Sequence, residues 1–438
     1  MLNVWGKMMA ERPIVIVHGW RDTSGRFEPL AKLLQAKLGC HISIISLANY
    51  ISMDDEIRFD DLATAMQTAW KRHGLPTQKG SVDAIVHSTG GLVIRDWLQR
   101  HYLPKSAPIK HLVMLAPANF GSPLAHKGRS LRNRALLGFI DKRPGGERFE
   151  TGTHILKGLE LASPYTWHLA NRDRFGPAGT MYQPGNVLCT VLVGNKGFRG
   201  IKAIANEDGS DGTVRLSTAN MDCVRIKAEF PAYPNVVGHD VTYDLERSSG
   251  STAFGVMDGH NHLSITLSHR EGKSLAWIER KTKSDSALFA HIVKALTVTN
   301  TEFGAWRDRL AECNEALLSK AVRRGDEKHG FQNTVVHVED QYGVGVDDYR
   351  SLYVNCTRLR KIINEVGESL SVSLTASPEL NERTPVGFTT LGNDGIGGIR
   401  IKKEDIDKFF MPHRTALVTL QLTRKHSEKT FRFENITG

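Results

Sequence analysis

The chain has 438 residues, 57 Lys and Arg against 47 Asp and Glu for a net charge of +10, and 40% hydrophobic residues. That apolar content excludes a disordered chain, and the absence of any run of eighteen or more apolar residues excludes a multi-span helical membrane protein. At roughly 100–200 residues per domain, two or three domains are expected.

Five cysteines, Cys40, Cys189, Cys223, Cys313 and Cys356, contain no CxxC pair. An odd count in a long chain argues against a disulfide framework and for folding in a reducing compartment. The N-terminus has no basic start followed by a long hydrophobic stretch, so no Sec signal peptide is expected.

The first part alternates strand-like and helix-like segments. Pro13 to Val17 is a short apolar run ending in His18-Gly19, and Phe27 to Leu38 places Leu30, Leu33, Leu34 and Leu38 at helical spacing. Ile42 to Leu47 reads as a strand and Asp60 to Arg72 as a helix. Val82 to His87 and Leu112 to Ala116 repeat the buried-strand pattern around a helix through Val93 and Trp97. Such alternation predicts a parallel sheet covered by helices on both faces.

After Gly121 the alternation breaks. Residues 124–182 carry ten basic and five acidic residues, half of the net charge, and contain an amphipathic stretch from His154 to Leu169. A basic surface favours anionic partners such as nucleic acid or acidic lipid headgroups, or is simply a solvated face; nothing interleaves basic and aromatic residues on a strand or recognition helix as nucleic-acid binding would require. A helical excursion between sheet strands, placed at about 122–182, has the character of a lid. Leu156, Tyr165 and Trp167 would then dip into a lipid interface. Strand signal returns at Val187 to Val193.

A helix from Phe303 to Val322 leads into a polar, Gly-containing linker. Beyond it, short alternating segments at Thr334–Val338, Leu352–Val354, Leu370–Leu374, Gly398–Ile401 and Ala416–Leu422 predict an antiparallel β-sandwich. The expected architecture is an α/β domain over 1–325 with the helical lid insertion, then a C-terminal β-sandwich over 331–438. Glu339 to Tyr349 is a carboxylate-rich turn that could hold Ca²⁺ or simply be solvated.

Chemistry concentrates at Val86-His87-Ser88-Thr89-Gly90-Gly91, directly after a strand and before a helix. A nucleophilic serine on a sharp strand-to-helix turn needs small neighbours, usually as G-x-S-x-G; here Val86 replaces the first glycine. A serine hydroxyl needs a histidine base oriented by a carboxylate, in the order Ser, Asp or Glu, His. Asp211, followed by Gly212, is the expected acid, with Asp208 in reserve. His262 is the expected base, with His260 in reserve. The oxyanion would be held by backbone amides of Thr89 and of Trp20, after the first strand, each worth about 3 kcal/mol. A rival reading makes Asp258, His260 and His262 metal ligands.

The Val86 to Gly91 segment, with the downstream Ser210-Asp211-Gly212 and Gly259-His260-Asn261-His262 segments, resembles the PlaB family of bacterial phospholipases A, whose nucleophile motif is T-H-S-T-G. The resemblance covers nearly the whole chain. It implies Ser88, Asp211 and His262 as the triad, phospholipase A and lysophospholipase A activity with no required cofactor or metal, and an N-terminal α/β hydrolase joined to a domain of antiparallel sheets. It further implies a phospholipid membrane surface and a second copy of the chain, as dimer or tetramer, as partners. The implied location is a bacterial membrane periphery, the outer membrane among the options, reached without a Sec signal; cytoplasmic or non-Sec secreted placement is the alternative. The competing functions are a neutral-lipid lipase or acyltransferase using the same triad, and a membrane-binding protein with a vestigial site.

Overall fold

The computed structural model describes residues 12–18, 24–52, 54–125, 152–161, 163–200, 203, 206–230, 242–323, 331–344, 351–356, 359–364, 369–375, 387–392, 395–400, 405–409 and 411–423. Two compact units follow spatial contact rather than sequence order: Met1–Cys223 with Arg247–Asn333 and Pro412–Thr415, and Val224–Glu246 with Thr334–Met411 and Ala416–Gly438.

The first unit is built on β1 (Ile14–His18), β2 (Ile42–Ser46), β3 (Val82–His87), β4 (Ile109–Leu115), β5 (Leu188–Gly194) and β8 (Ala253–Met257), all parallel, in the order β2-β1-β3-β4-β5-β8. β1, β3 and β5 are buried along their whole length, which explains their continuous apolar runs. Helices α1 (Glu28–Leu38), α2 (Phe59–Arg72) and α3 (Gly90–His101) link the early strands, while those at Lys283–Thr297 and Phe303–Arg323 pack on β4 and β8. This is an α/β-hydrolase arrangement. Strand order reverses direction between β1 and β3, and in such sheets the crevice for ligands opens beyond the carboxyl ends of the strands at that reversal. Ser88 stands at the carboxyl end of β3.

The insertion differs from its sequence reading. The stretch 154–169 is two helices, Thr153–Gly158 and Pro164–Asp173, because Pro164 starts a new helix behind Ser163, whose hydroxyl accepts from the Thr166 amide at 3.2 Å. Trp167 is buried, and Tyr165 stacks on Phe59 with ring centroids 4.0 Å apart while donating to Asp96 at 3.2 Å. Tyr165 is half-buried, and both rings are packed within the first unit. The Arg-rich part of the predicted lid, 126–151, lies outside the described residues.

The second unit holds a four-stranded sheet, β11-β10-β13-β14, antiparallel throughout, and a five-stranded sheet, β12-β9-β15-β6-β7. Its strands are β6 (Cys223–Phe230), β7 (Tyr243–Arg247), β9 (Phe331–Asp340), β10 (Ser351–Cys356), β11 (Leu359–Asn364), β12 (Ser369–Thr375), β13 (Gly387–Gly392), β14 (Gly395–Arg400) and β15 (Thr415–Leu422). The boundary drawn at 325 assigned β6 and β7 to the hydrolase domain; they instead extend the sheet that contains β9 and β15. Alternating burial shows that a strand is half covered but not which sheet accepts its edge.

Candidate active site

Ser88 has φ of +54°, a left-handed backbone that side chains rarely adopt. The turn is held by its neighbours: its amide donates to the Leu115 carbonyl at 3.2 Å, and its carbonyl accepts from Gly91 at 3.1 Å and Ala118 at 3.3 Å. Glycine at 90 and 91 is a packing requirement. A Cβ at Gly90 would stand 3.1 Å from the Val17 carbonyl oxygen, and one at Gly91 would stand 2.7 Å from Cβ of Pro117. The same added Cβ at Gly90 would stand 3.6 Å from the Cβ of Val86, an ordinary contact, so the valine in place of the usual glycine does not crowd position 90.

The three residues chosen from the sequence converge. Nε2 of His262 lies 3.1 Å from Ser88 Oγ, and its Nδ1 lies 2.9 Å from Asp211 Oδ2. The other Asp211 oxygen accepts from the amides of Thr213 at 2.9 Å and Val214 at 2.8 Å, so this fully buried carboxylate is satisfied on both sides. Gly212, at φ +97°, lets the loop turn behind it. Hydrogen bonding to Asp211 leaves the hydrogen on Nδ1 of His262 and the lone pair of Nε2 facing the serine. Such a relay can draw the proton from a hydroxyl as its oxygen attacks a carbonyl carbon.

Thr89 follows at the N-cap of α3, where the first amides of a helix lack intrahelical acceptors, and where an anion is favoured. Trp20, the other expected amide donor, lies outside the described residues. The reserve residues are elsewhere. Asp208 is exposed in a turn, and His260 is buried beside Asp285, its Nε2 3.8 Å from Oδ1. Burial lowers the pKa of His260. Burial alone would raise the Asp285 carboxyl, but hydrogen bonds from His269 and Arg270 hold it at about 2.

The metal reading does not assemble. Asp258 accepts from Asn195 at 2.9 Å, His260 faces Asp285, and His262 is taken by Ser88 and Asp211. Among the described residues no cluster of three or more His, Cys, Asp or Glu could hold a metal ion. In the carboxylate-rich turn, Asp340 uses Oδ1 on the amides of Tyr342 and Val344, both at 2.9 Å, and 345–350 lie outside the described residues. Among the described residues no helix is long and apolar enough to cross a membrane.

Sequence reasoning passed over the support behind the nucleophile helix. Arg95 is fully buried and forms a two-pronged pair with Asp173, Nε to Oδ2 and Nη2 to Oδ1, both at 2.8 Å. Its Nη1 donates to the Asn119 carbonyl at 2.9 Å, which ties α3 to the loop after β4. Asp173 pushes the Arg95 pKa upward against the opposing effect of burial.

No family model matches the chain, and no curated protein matches it. Among solved structures, phospholipase PlaB from Legionella pneumophila is similar at TM-score 0.69 and 22% identity, with 97% of each chain covered. The same phospholipase in complex with thio-NAD gives TM-score 0.68, again at 22% identity and 97% of each chain. From the carboxyl edge of its parallel sheet to its second group of strands, the chain has the fold of that phospholipase.

Proposed function

We propose that the chain is a serine hydrolase of the PlaB family that cleaves acyl esters of glycerophospholipids and lysophospholipids. The observation that carries the reading is the hydrogen-bonded series Ser88, His262, Asp211 at the point where strand order reverses. The lipid substrate rests on the likeness to PlaB and on the motif Val86 to Gly91.

In this reading Ser88 Oγ attacks the ester carbonyl while Nε2 of His262 takes its proton. Asp211 holds the tautomer and offsets the charge on the imidazolium. The amide of Thr89 donates to the oxyanion, and removing one such donor costs about 3 kcal/mol. Collapse expels the lysolipid or glycerophosphodiester, which receives the proton from His262. Water, activated by the same histidine, then releases the fatty acid from Ser88. A membrane surface supplies the substrate, and homo-oligomers are the assembly that goes with this family.

The test is incubation of wild-type protein and Ser88→Ala with vesicles of phosphatidylglycerol, phosphatidylcholine and lysophosphatidylcholine, followed by mass spectrometry of free fatty acid. Release by wild type alone is expected. Equal release by both removes Ser88 from the reaction. No release by either, with Ser88 still labelled by a fluorophosphonate, indicates another ester substrate; no labelling leaves a binding protein on a hydrolase scaffold.

A further inference from the structure

With Ser88 and His262 read as nucleophile and base, one buried side chain beside them has no assigned role. His87 closes β3 directly before the serine and is 2% exposed. Its Nε2 lies 2.9 Å from the main-chain carbonyl oxygen of His262, and the two imidazole centroids are 4.7 Å apart at 44°. A carbonyl oxygen only accepts, so Nε2 of His87 carries the hydrogen. Burial first, and then the neighbouring His262, hold the His87 pKa well below its ordinary value, so the ring is neutral. Its Nδ1 has no hydrogen-bond partner among the described residues.

The group that His87 holds matters more than its burial. The peptide groups on the two sides of His262 are both tied down. Its amide donates to the Asp211 carbonyl at 3.0 Å, and its carbonyl accepts from His87 at 2.9 Å. Between those two anchors the imidazole reaches Ser88 Oγ at 3.1 Å. His87 is itself braced. Phe27 meets its ring edge-on with centroids 5.7 Å apart, and stacks on His18 at 5.9 Å, at the end of β1. A column of rings thus runs from the ends of β1 and β3 to the loop of the base.

We propose that His87 is a positioning residue that, as a neutral Nε2–H donor, fixes the main chain of His262 so that the imidazole stays between Asp211 and Ser88. It takes no proton during the reaction: its nearer nitrogen is occupied by the carbonyl, and two histidines in contact do not both carry charge. The proposal rests on the reading of Ser88 and His262 given above.

The test uses two substitutions that separate donor from ring. His87→Phe keeps an aromatic ring and removes the donor; His87→Gln places an amide N–H near the position of Nε2 and removes the ring. Hydrolysis of p-nitrophenyl butyrate, a soluble ester, is measured together with thermal melting, with active sites counted by fluorophosphonate titration. His87→Phe is expected to lower kcat by about 10–100-fold with KM unchanged, the scale of a misplaced catalytic group, and His87→Gln to recover most of it. If His87→Phe does not fold, His87→Asn, whose amide ends one bond short of the carbonyl, takes its place with the same expectation. Wild-type kcat in the donor-less variant, or equal loss in His87→Gln, overturns the proposal. Activity surviving in Ser88→Ala overturns instead the reading of the site on which it stands.

Discussion

Asp211 and His262 are joined twice: the His262 amide donates to the Asp211 carbonyl at 3.0 Å, and the side chains meet between Nδ1 and Oδ2 at 2.9 Å. The double link fixes the ring plane as well as its distance. Because Oδ1 is committed to the amides of Thr213 and Val214, Asp211→Asn would keep its oxygen there and turn its amide nitrogen towards His262. A donor at that place forces Nδ1 to accept, so the hydrogen moves to Nε2, which then cannot take the serine proton. The expected loss in kcat is about 10⁴-fold with melting temperature little changed. The exposed Asp208 serves as comparison, and Asp208→Asn should leave activity intact. Ester hydrolysis by Asp211→Asn within tenfold of wild type would exclude the role given to this carboxylate.

Gly91 offers a test of the turn itself. Alanine in a helix normally gains about 1 kcal/mol over glycine, but here the added Cβ would lie 2.7 Å from Cβ of Pro117 and 3.5 Å from its Cα. Such overpacking costs about 1–3 kcal/mol, so Gly91→Ala should be net destabilising. It should also lower activity, because the amide of Ala118, next to Pro117, donates to the Ser88 carbonyl. At Gly304, in the helix Phe303–Arg323, a Cβ meets nothing within 4 Å, and Gly304→Ala should be neutral to stabilising. Urea denaturation of both variants decides the point; equal stability for Gly91→Ala and wild type would refute the packing argument.

Three buried groups contribute to the loss of stability in acid. His87 and His260 are held below the ordinary histidine value of 6.5, each chiefly by burial. Below about pH 6.5 the unfolded chain therefore binds protons that the folded chain refuses, and stability falls as pH falls, by up to about 1.4 kcal/mol per pH unit for each histidine. Asp285, held at about 2 against an ordinary 3.8, adds stability that is complete above pH 4 and is lost as pH drops towards 2. Melting temperature should thus rise from pH 5 to pH 7, and the slope should be shallower in His87→Phe. An unchanged slope in that variant would mean that His87 is not kept neutral by the fold.

The parts legible in sequence were those whose signal is local. β3 and its turn could be read from the six-residue, mostly apolar segment Val82–His87 followed by Ser88 and two glycines, and Asp211 and His262 from chain order and the glycine after the acid. What stayed hidden depends on partners far away along the chain. Arg95 and Asp96 look like an exposed polar pair on a helix, yet both are fully buried, and the carboxylate that accepts Arg95 lies 78 residues later. His87 looked like a member of a motif; only the folded loop shows which carbonyl it holds. The break at Pro164 was visible as a proline, but the hydrophobic spacing on either side concealed it.

That hidden pair, Arg95 and Asp173, carries the last prediction. Both side chains are essentially inaccessible, so their attraction is offset by the cost of taking two charges out of water, and the pair as a whole contributes little net stability. Removing one partner is different. Asp173→Ala leaves the guanidinium buried with Asn119 as its remaining acceptor among the described residues, and should cost about 3–5 kcal/mol in urea denaturation. The double change Arg95→Met with Asp173→Leu removes both charges and refills part of the volume, so it should recover a large share of that loss. Because Arg95 also ties α3 to the Asn119 loop, the double variant should regain stability more fully than ester hydrolysis. If the double variant is no more stable than Asp173→Ala, the pair is held by shape rather than by charge.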